Sequence, residues 1–230
     1  MLTTTEQQQL KAINKFATRV LASDNSGHAM DHIQRVVDLV KHLLLSQTSA
    51  DEFVALAAGL LHDTYDDKLV ADPVVGKQAV ADFLAAQQVA DAKQTEIFQI
   101  IDNMSWSEAM FGQPEPLSLA GKIVQDADRL DAIGAMGAIR TLQYGMAHQH
   151  VLYDPTKLPR QEMTKAEYRN NETIINHFYE KLFLIKDYLN TPEAKRIGQQ
   201  RDQVMRAFVQ AFEAEWAGQD YKIKGEKQGE

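Results

Sequence analysis

Apolar residues recur along this chain at three- and four-residue spacing, and two-residue alternation is nowhere sustained. Leu10, Ile13, Phe16, Val20 and Leu21 predict an amphipathic helix over 4–21. Met30, Ile33, Val36, Val37, Val40, Leu43 and Leu44 form the stripe of a second, over 28–45. The apolar run from Phe53 to Leu61 predicts a third helix over 52–62, capped by Ser49 or Asp51, and its Ala55, Ala57, Ala58 and Gly59 permit close helix approach. Residues 72–76 read as a turn or short loop, followed by helices at 77–87 and 91–103. A loop with Gly112, Pro114 and Pro116 spans 104–118, helices follow over 117–130 and 132–147, and 149–163 forms a second long loop. Two long helices, 164–189 and 192–216, close the pattern, with Thr191 as N-cap and Pro192 in the first turn of the last. Val74-Val75 and Val151-Leu152-Tyr153 are too short to build a sheet. The expectation is an all-α, single-domain helical bundle over residues 1–217, with a polar tail at 218–230.

Composition narrows the function. The chain has no cysteine, which removes disulfides, zinc–thiolate sites and thiol catalysis. A net charge of −8 argues against wrapping long nucleic acid, which needs a basic surface. No apolar run approaches the roughly 20 residues of a membrane span, and the N-terminal residues lack the basic and apolar regions of a signal peptide. A cytoplasmic protein is expected.

Charged and metal-ligating residues concentrate in four places. His28, Asp31, His32 and Arg35 lie at the start of the second helix, with His28, His32 and Arg35 on roughly one face. His62-Asp63 follows directly on the apolar run, and Asp66-Asp67-Lys68 comes three positions later. Asp126, Asp128 and Asp131 are too many acids for one helix to turn to solvent. Such clusters are costly unless a cation, a hydrogen-bond network or solvent neutralises them. Imidazole nitrogen with carboxylate oxygen suits Mn, Fe, Co, Ni or Zn rather than Ca. Two histidines and two aspartates balance a divalent ion and leave room for water and a phosphate oxygen. Successive helical residues differ by about 100° in direction, so adjacent His62 and Asp63 can share an ion only near a helix end, which is where they fall.

The order of these pieces resembles the HD superfamily of metal-dependent phosphohydrolases, whose signature is H…HD…D. His32-Ile33-Gln34-Arg35-Val36 is similar to that family's HxxRV segment, His62-Asp63-Thr64-Tyr65-Asp66-Asp67 to its HDxxxD box, and Ala127-Asp128-Arg129-Leu130 to its ADRL segment. Residues 125–140 and the stretch from His177 to Leu182 also resemble stand-alone bacterial HD hydrolases, a likeness covering about 15–217. The resemblance implies His32, His62, Asp63 and Asp128 as metal ligands, with Asp126 and Asp131 as supporting or helix-orienting groups. It implies one divalent ion, Mn foremost, with Mg, Co, Ni, Fe or Zn as alternatives. Many relatives carry an acid after the first histidine, where this chain has Ala29, which removes an argument for His28.

A phosphate entering a carboxylate-rich site needs cations. Arg35 and Lys68 are best placed in sequence, with Lys181 and His177 available from the C-terminal helices. Asp66, ahead of Asp67, is the acid–base candidate by resemblance. His148 and His150, His42, and the Met104–Trp106 stretch read as surface or core residues rather than further sites. The function expected is hydrolysis of a small phosphorylated substrate, a nucleotide first, most simply a triphosphate cleaved to monophosphate and pyrophosphate. Nucleotidase, phosphodiesterase and non-catalytic sensor readings are the alternatives, and a homodimer is the working expectation for assembly.

Overall fold

The computed structural model describes residues 1–22, 30–67, 69–164, 167–168 and 173–221. His28, Lys68 and the last nine residues of the expected tail lie outside the described residues. Among those described the architecture is all-α, and the extended backbone amounts to one isolated bridge, Val151 to Thr173. No helix among them is long and apolar enough to cross a membrane.

Helix α1 (Thr4–Val20) opens on a capping box: Glu6 N–H donates to Thr3 Oγ1 at 3.2 Å, and Thr3 N–H returns to the Glu6 carboxylate at 2.8 Å. Helix α2 (Met30–Leu44) buries His32 along with Ile33, Val36, Val37, Val40 and Leu43. Helix α3 (Glu52–Leu61) starts at the Asp51 cap and buries every residue from Phe53 to Leu61. A helix apolar all round must be enclosed, and α3 packs against α1, α2, α5 (Asp91–Asn103) and α7 (Leu119–Asp131). Gly59 lets α2 come close, since a Cβ there would meet Val40 Cγ2 at 3.5 Å.

Three elements differ from the sequence expectation. Helix α4 (Pro73–Ala86) takes in the expected turn, because the Asp72 carboxylate accepts from Val74 and Val75 N–H at 2.9 and 3.2 Å and Pro73 suits the first turn. A short helix, α6 (Trp106–Phe111), forms inside the expected loop, capped by Ser105. The expected helix over 164–189 is broken into α9 (Ile174–His177), a π turn (Phe178–Leu182) and a 3₁₀ turn (Ile185–Tyr188). The Phe183 N–H reaches back five residues to the Phe178 carbonyl at 2.9 Å, which turns both rings into the core. Buried Glu180 in the same stretch takes the Arg160 guanidinium in two bonds of 2.9 and 2.6 Å, pinning the preceding loop onto it.

Helix α8 (Gly134–Ala147) follows α7 after a two-residue turn, and α10 (Pro192–Trp216) packs across both. Asp126, fully buried in mid-α7, fixes the start of α10. Its carboxylate accepts from Asn190 N and Nδ2 and from Thr191 N and Oγ1, at 2.7 to 2.9 Å.

Candidate metal centre

Three helices meet at one cluster. α2 supplies His32, the turn that ends α3 supplies His62 and Asp63, and the last part of α7 supplies Asp128 and Asp131. Because His62 is the C-cap of α3, the backbone leaves the helix there, and the neighbouring side chains converge. His32 Nε2 lies 3.2 Å from His62 Nε2, 3.6 Å from Asp63 Oδ2 and 3.5 Å from Asp128 Oδ1. His62 Nε2 lies 3.5 Å from Asp63 Oδ1 and 3.8 Å from Asp128 Oδ1. Donors about 2.1 Å from a shared transition-metal ion stand about 3.0 Å apart at a right angle and about 3.4 Å apart at the tetrahedral angle. The spacings fit one ion.

The protons fit as well. His32 Nδ1 faces Asp131 Oδ2 at 2.7 Å, and His62 Nδ1 faces the Gly59 carbonyl at 2.9 Å. Both partners are acceptors, so in the neutral ring each Nδ1 carries the hydrogen and Nε2, turned to the cluster, is the nitrogen that can take a metal ion. Burial alone would push His62 down, but Asp63 and Asp128 outweigh it and raise the imidazole above its ordinary value. The cluster attracts positive charge. Its side chains are 1% (His32), 5% (His62) and 9% (Asp63) exposed, against 32% for Asp128, so the opening to solvent is on the Asp128 side. Catalytic metal sites keep such an open position.

Residues 29–133 match the HD domain family. A Lactobacillus plantarum protein of known crystal structure is 45% identical, with a TM-score of 0.83 over 95% of this chain and 100% of that one. A Bacillus thuringiensis protein described as an HD-superfamily hydrolase is 34% identical, with a TM-score of 0.72 over 92% of this chain and 98% of its own. The chain belongs to the HD superfamily. As an HD-superfamily hydrolase it is a metal-dependent phosphohydrolase. The uncharacterized protein YpgQ of Bacillus subtilis is 33% identical over 215 residues, 94% of this chain and 97% of YpgQ. YpgQ has been crystallised with ADP, and that structure has a TM-score of 0.74 to this HD hydrolase over 96% of this chain and 98% of its own.

The other expected site residues are distributed around this centre. Asp66 is half-buried one turn beyond it, close enough for its charge to help raise His62, while Asp67 is exposed. Arg35 places all three guanidinium nitrogens on carboxylates: Nε and Nη2 on Asp131 at 2.7 and 3.1 Å, Nη1 on Asp31 at 2.8 Å. Lys181 Nζ lies 5.7 Å from the centre of the Tyr168 ring. His177 is half-buried; burial, with Lys181, His150 and Arg160 adding positive charge, pushes its imidazole down to about 3. Asp126 points away from the cluster into the Asn190-Thr191 turn. Asp131 lies behind His32. Burial would push its carboxyl up, yet the hydrogen bonds from His32 and Arg35 hold it well below the usual carboxylate range.

His148 stacks on Tyr144 with ring centres 4.0 Å apart, its Nδ1 on the Tyr144 carbonyl, and it stands apart from the metal-ligating group. Met104 and Trp106 are core residues. Arg140 was not singled out from sequence, although its Nη1 donates to Asp131 Oδ2 at 2.7 Å. No spacing announces it, because it reaches Asp131 only through the turn between α7 and α8.

Proposed function

We propose that this HD-superfamily hydrolase converts a nucleoside triphosphate to the monophosphate and pyrophosphate, with one divalent ion held by His32, His62, Asp63 and Asp128. The observation that carries the ligand set is the pair of Nε2 atoms 3.2 Å apart, each turned to the cluster by the acceptor on its own Nδ1 and flanked by two carboxylates. The ADP complex of YpgQ supports a nucleotide as substrate. Mn fits a mixed imidazole and carboxylate set with an open side.

An ion of this kind, when bound, makes a coordinated water a nucleophile at neutral pH and stabilises charge on a phosphoryl oxygen. The chain supplies the rest. An Asp66 carboxylate oxygen takes the proton as water attacks the α-phosphorus; the new P–O bond forms as the bond to the bridging oxygen breaks, and pyrophosphate leaves. Asp67, exposed beside it, is the second candidate for this proton. Lys181, as a cation, and His177, as a neutral imidazole donor, receive phosphate oxygens from the C-terminal segment. Arg35 is assigned to Asp131 in place of phosphate, since its three nitrogens are already engaged.

The test is incubation of purified protein with Mn and a panel of nucleoside tri-, di- and monophosphates and cyclic nucleotides, followed by separation of products. Monophosphate plus pyrophosphate from a triphosphate is expected. Orthophosphate from a monophosphate would make the protein a nucleotidase, and no product from any member would argue for a non-catalytic binding role.

A further inference from the structure

Asp131 is nearly fully buried, at 2% exposure, and closes the C-terminal end of α7. A carboxylate is electrostatically unfavourable there, because the helix presents its own unpaired carbonyls and negative dipole end. Four donors offset that cost. Oδ1 accepts Arg35 Nε at 2.7 Å; Oδ2 accepts His32 Nδ1 at 2.7 Å, Arg140 Nη1 at 2.7 Å and Arg35 Nη2 at 3.1 Å. An ionised carboxylate offers about four lone-pair sites, so rotating this one breaks bonds on both oxygens at once. The two arginines come from different elements: Arg35 from α2, one turn after His32, and Arg140 from the middle of α8. Arg140 Nη1 also stands 3.3 Å from His32 Nδ1, but that nitrogen already gives its proton to Asp131, so the guanidinium acts there as a neighbouring charge.

We infer that Arg35 and Arg140 are positioning residues of the metal centre: together they fix the plane of the Asp131 carboxylate, which in turn aims the His32 lone pair at the ion. Among the described residues, the His62 Nδ1 partner is the Gly59 carbonyl of its own helix. The orientation of His32 therefore depends on side chains from three helices. This inference rests on the ligand set proposed above.

Calorimetric titration of the chelator-stripped protein with MnCl2 tests it, read beside the thermal midpoint of the metal-free protein. Substitutions of groups that orient a metal-bound histidine typically weaken metal affinity about 10- to 100-fold. Arg35→Met and Arg140→Met are each expected to fall in that range, and Arg140→Lys, which keeps a cation within reach of Oδ2, to recover most of the loss. A purely structural ion pair would shift the metal-free midpoint and leave Mn affinity alone, and that result would overturn the inference. Arg140→Lys binding as weakly as Arg140→Met would also count against it. If Arg35→Met does not fold, the two Arg140 variants carry the comparison. Failure of the unsubstituted protein to bind Mn would remove the proposed ligand set itself, an outcome distinct from equal binding by all variants.

Discussion

His32 Nε2 and His62 Nε2 face each other at 3.2 Å, and each ring has already given its other hydrogen to an acceptor behind it. Two ring nitrogens at that distance need a proton or a metal ion between them, and two carboxylates close by deepen the demand for positive charge. Mn should therefore stabilise the fold. At about a hundred times its dissociation constant a ligand adds about 2.7 kcal/mol, which at about 2–4 °C per kcal/mol for a chain of this size raises the midpoint by about 5–10 °C. Scanning calorimetry with and without Mn should show this rise in the wild type and its absence in His32→Ala and His62→Ala.

Asp126 and Asp128 are two residues apart and should behave in opposite ways. Asp126→Ala leaves the donors of Asn190 and Thr191 without their buried acceptor. At about 1–3 kcal/mol for each unsatisfied buried group, a loss of at least about 3 kcal/mol is expected. Asp128→Ala, which removes a half-exposed carboxylate from an acidic cluster, should leave the metal-free protein as stable or more so, and should abolish turnover. Urea unfolding of both variants beside an activity assay separates the roles.

Tyr65 holds the turn that carries His62, Asp63 and Asp66. Its hydroxyl donates to Asp102 Oδ1 at 3.1 Å, and Lys77 holds the same carboxylate from α4. Burial and the Asp102 charge push the phenol well above its ordinary range, so it remains a donor at every working pH. Tyr65→Phe should cost about 1 kcal/mol of stability and lower kcat several-fold with little change in KM, because the turn loses its anchor while the ligands stay. Steady-state kinetics checks this.

His177 gives stability a pH dependence of known sign. Its folded pKa of about 3 lies below the ordinary 6.5, so between those values the unfolded chain binds a proton that the folded chain refuses. This residue therefore lowers stability progressively as pH falls from about 6.5 towards 3. His177→Gln should flatten the acid limb of a plot of unfolding free energy against pH. An unchanged limb would mean that the imidazole is not held neutral.

Much of this organisation can be read from the chain. The helix at Asp91–Asn103 follows from apolar period and the start of α10 at Thr191-Pro192 from capping chemistry, and both are local. The broken segment after Thr173 is not local. Its apolar spacing suits a continuous helix, and only packing, with Glu180 tied to Arg160, reveals the wider turn at Phe178. The same division holds at the site. His32, His62, Asp63 and Asp128 are announced by motif spacing, but sequence gives three acids around Arg129 without their directions. The packed helices aim Asp126 at α10, Asp128 at the histidines and Asp131 at Arg35 and Arg140.

Crystals grown with Mn and measured near its absorption edge test the central claim most directly. The account predicts one anomalous peak within about 2.0–2.3 Å of His32 Nε2, His62 Nε2 and oxygens of Asp63 and Asp128. A peak bound through Asp126 or Asp131, or no peak between the two histidines while the protein turns over with Mn, would contradict it.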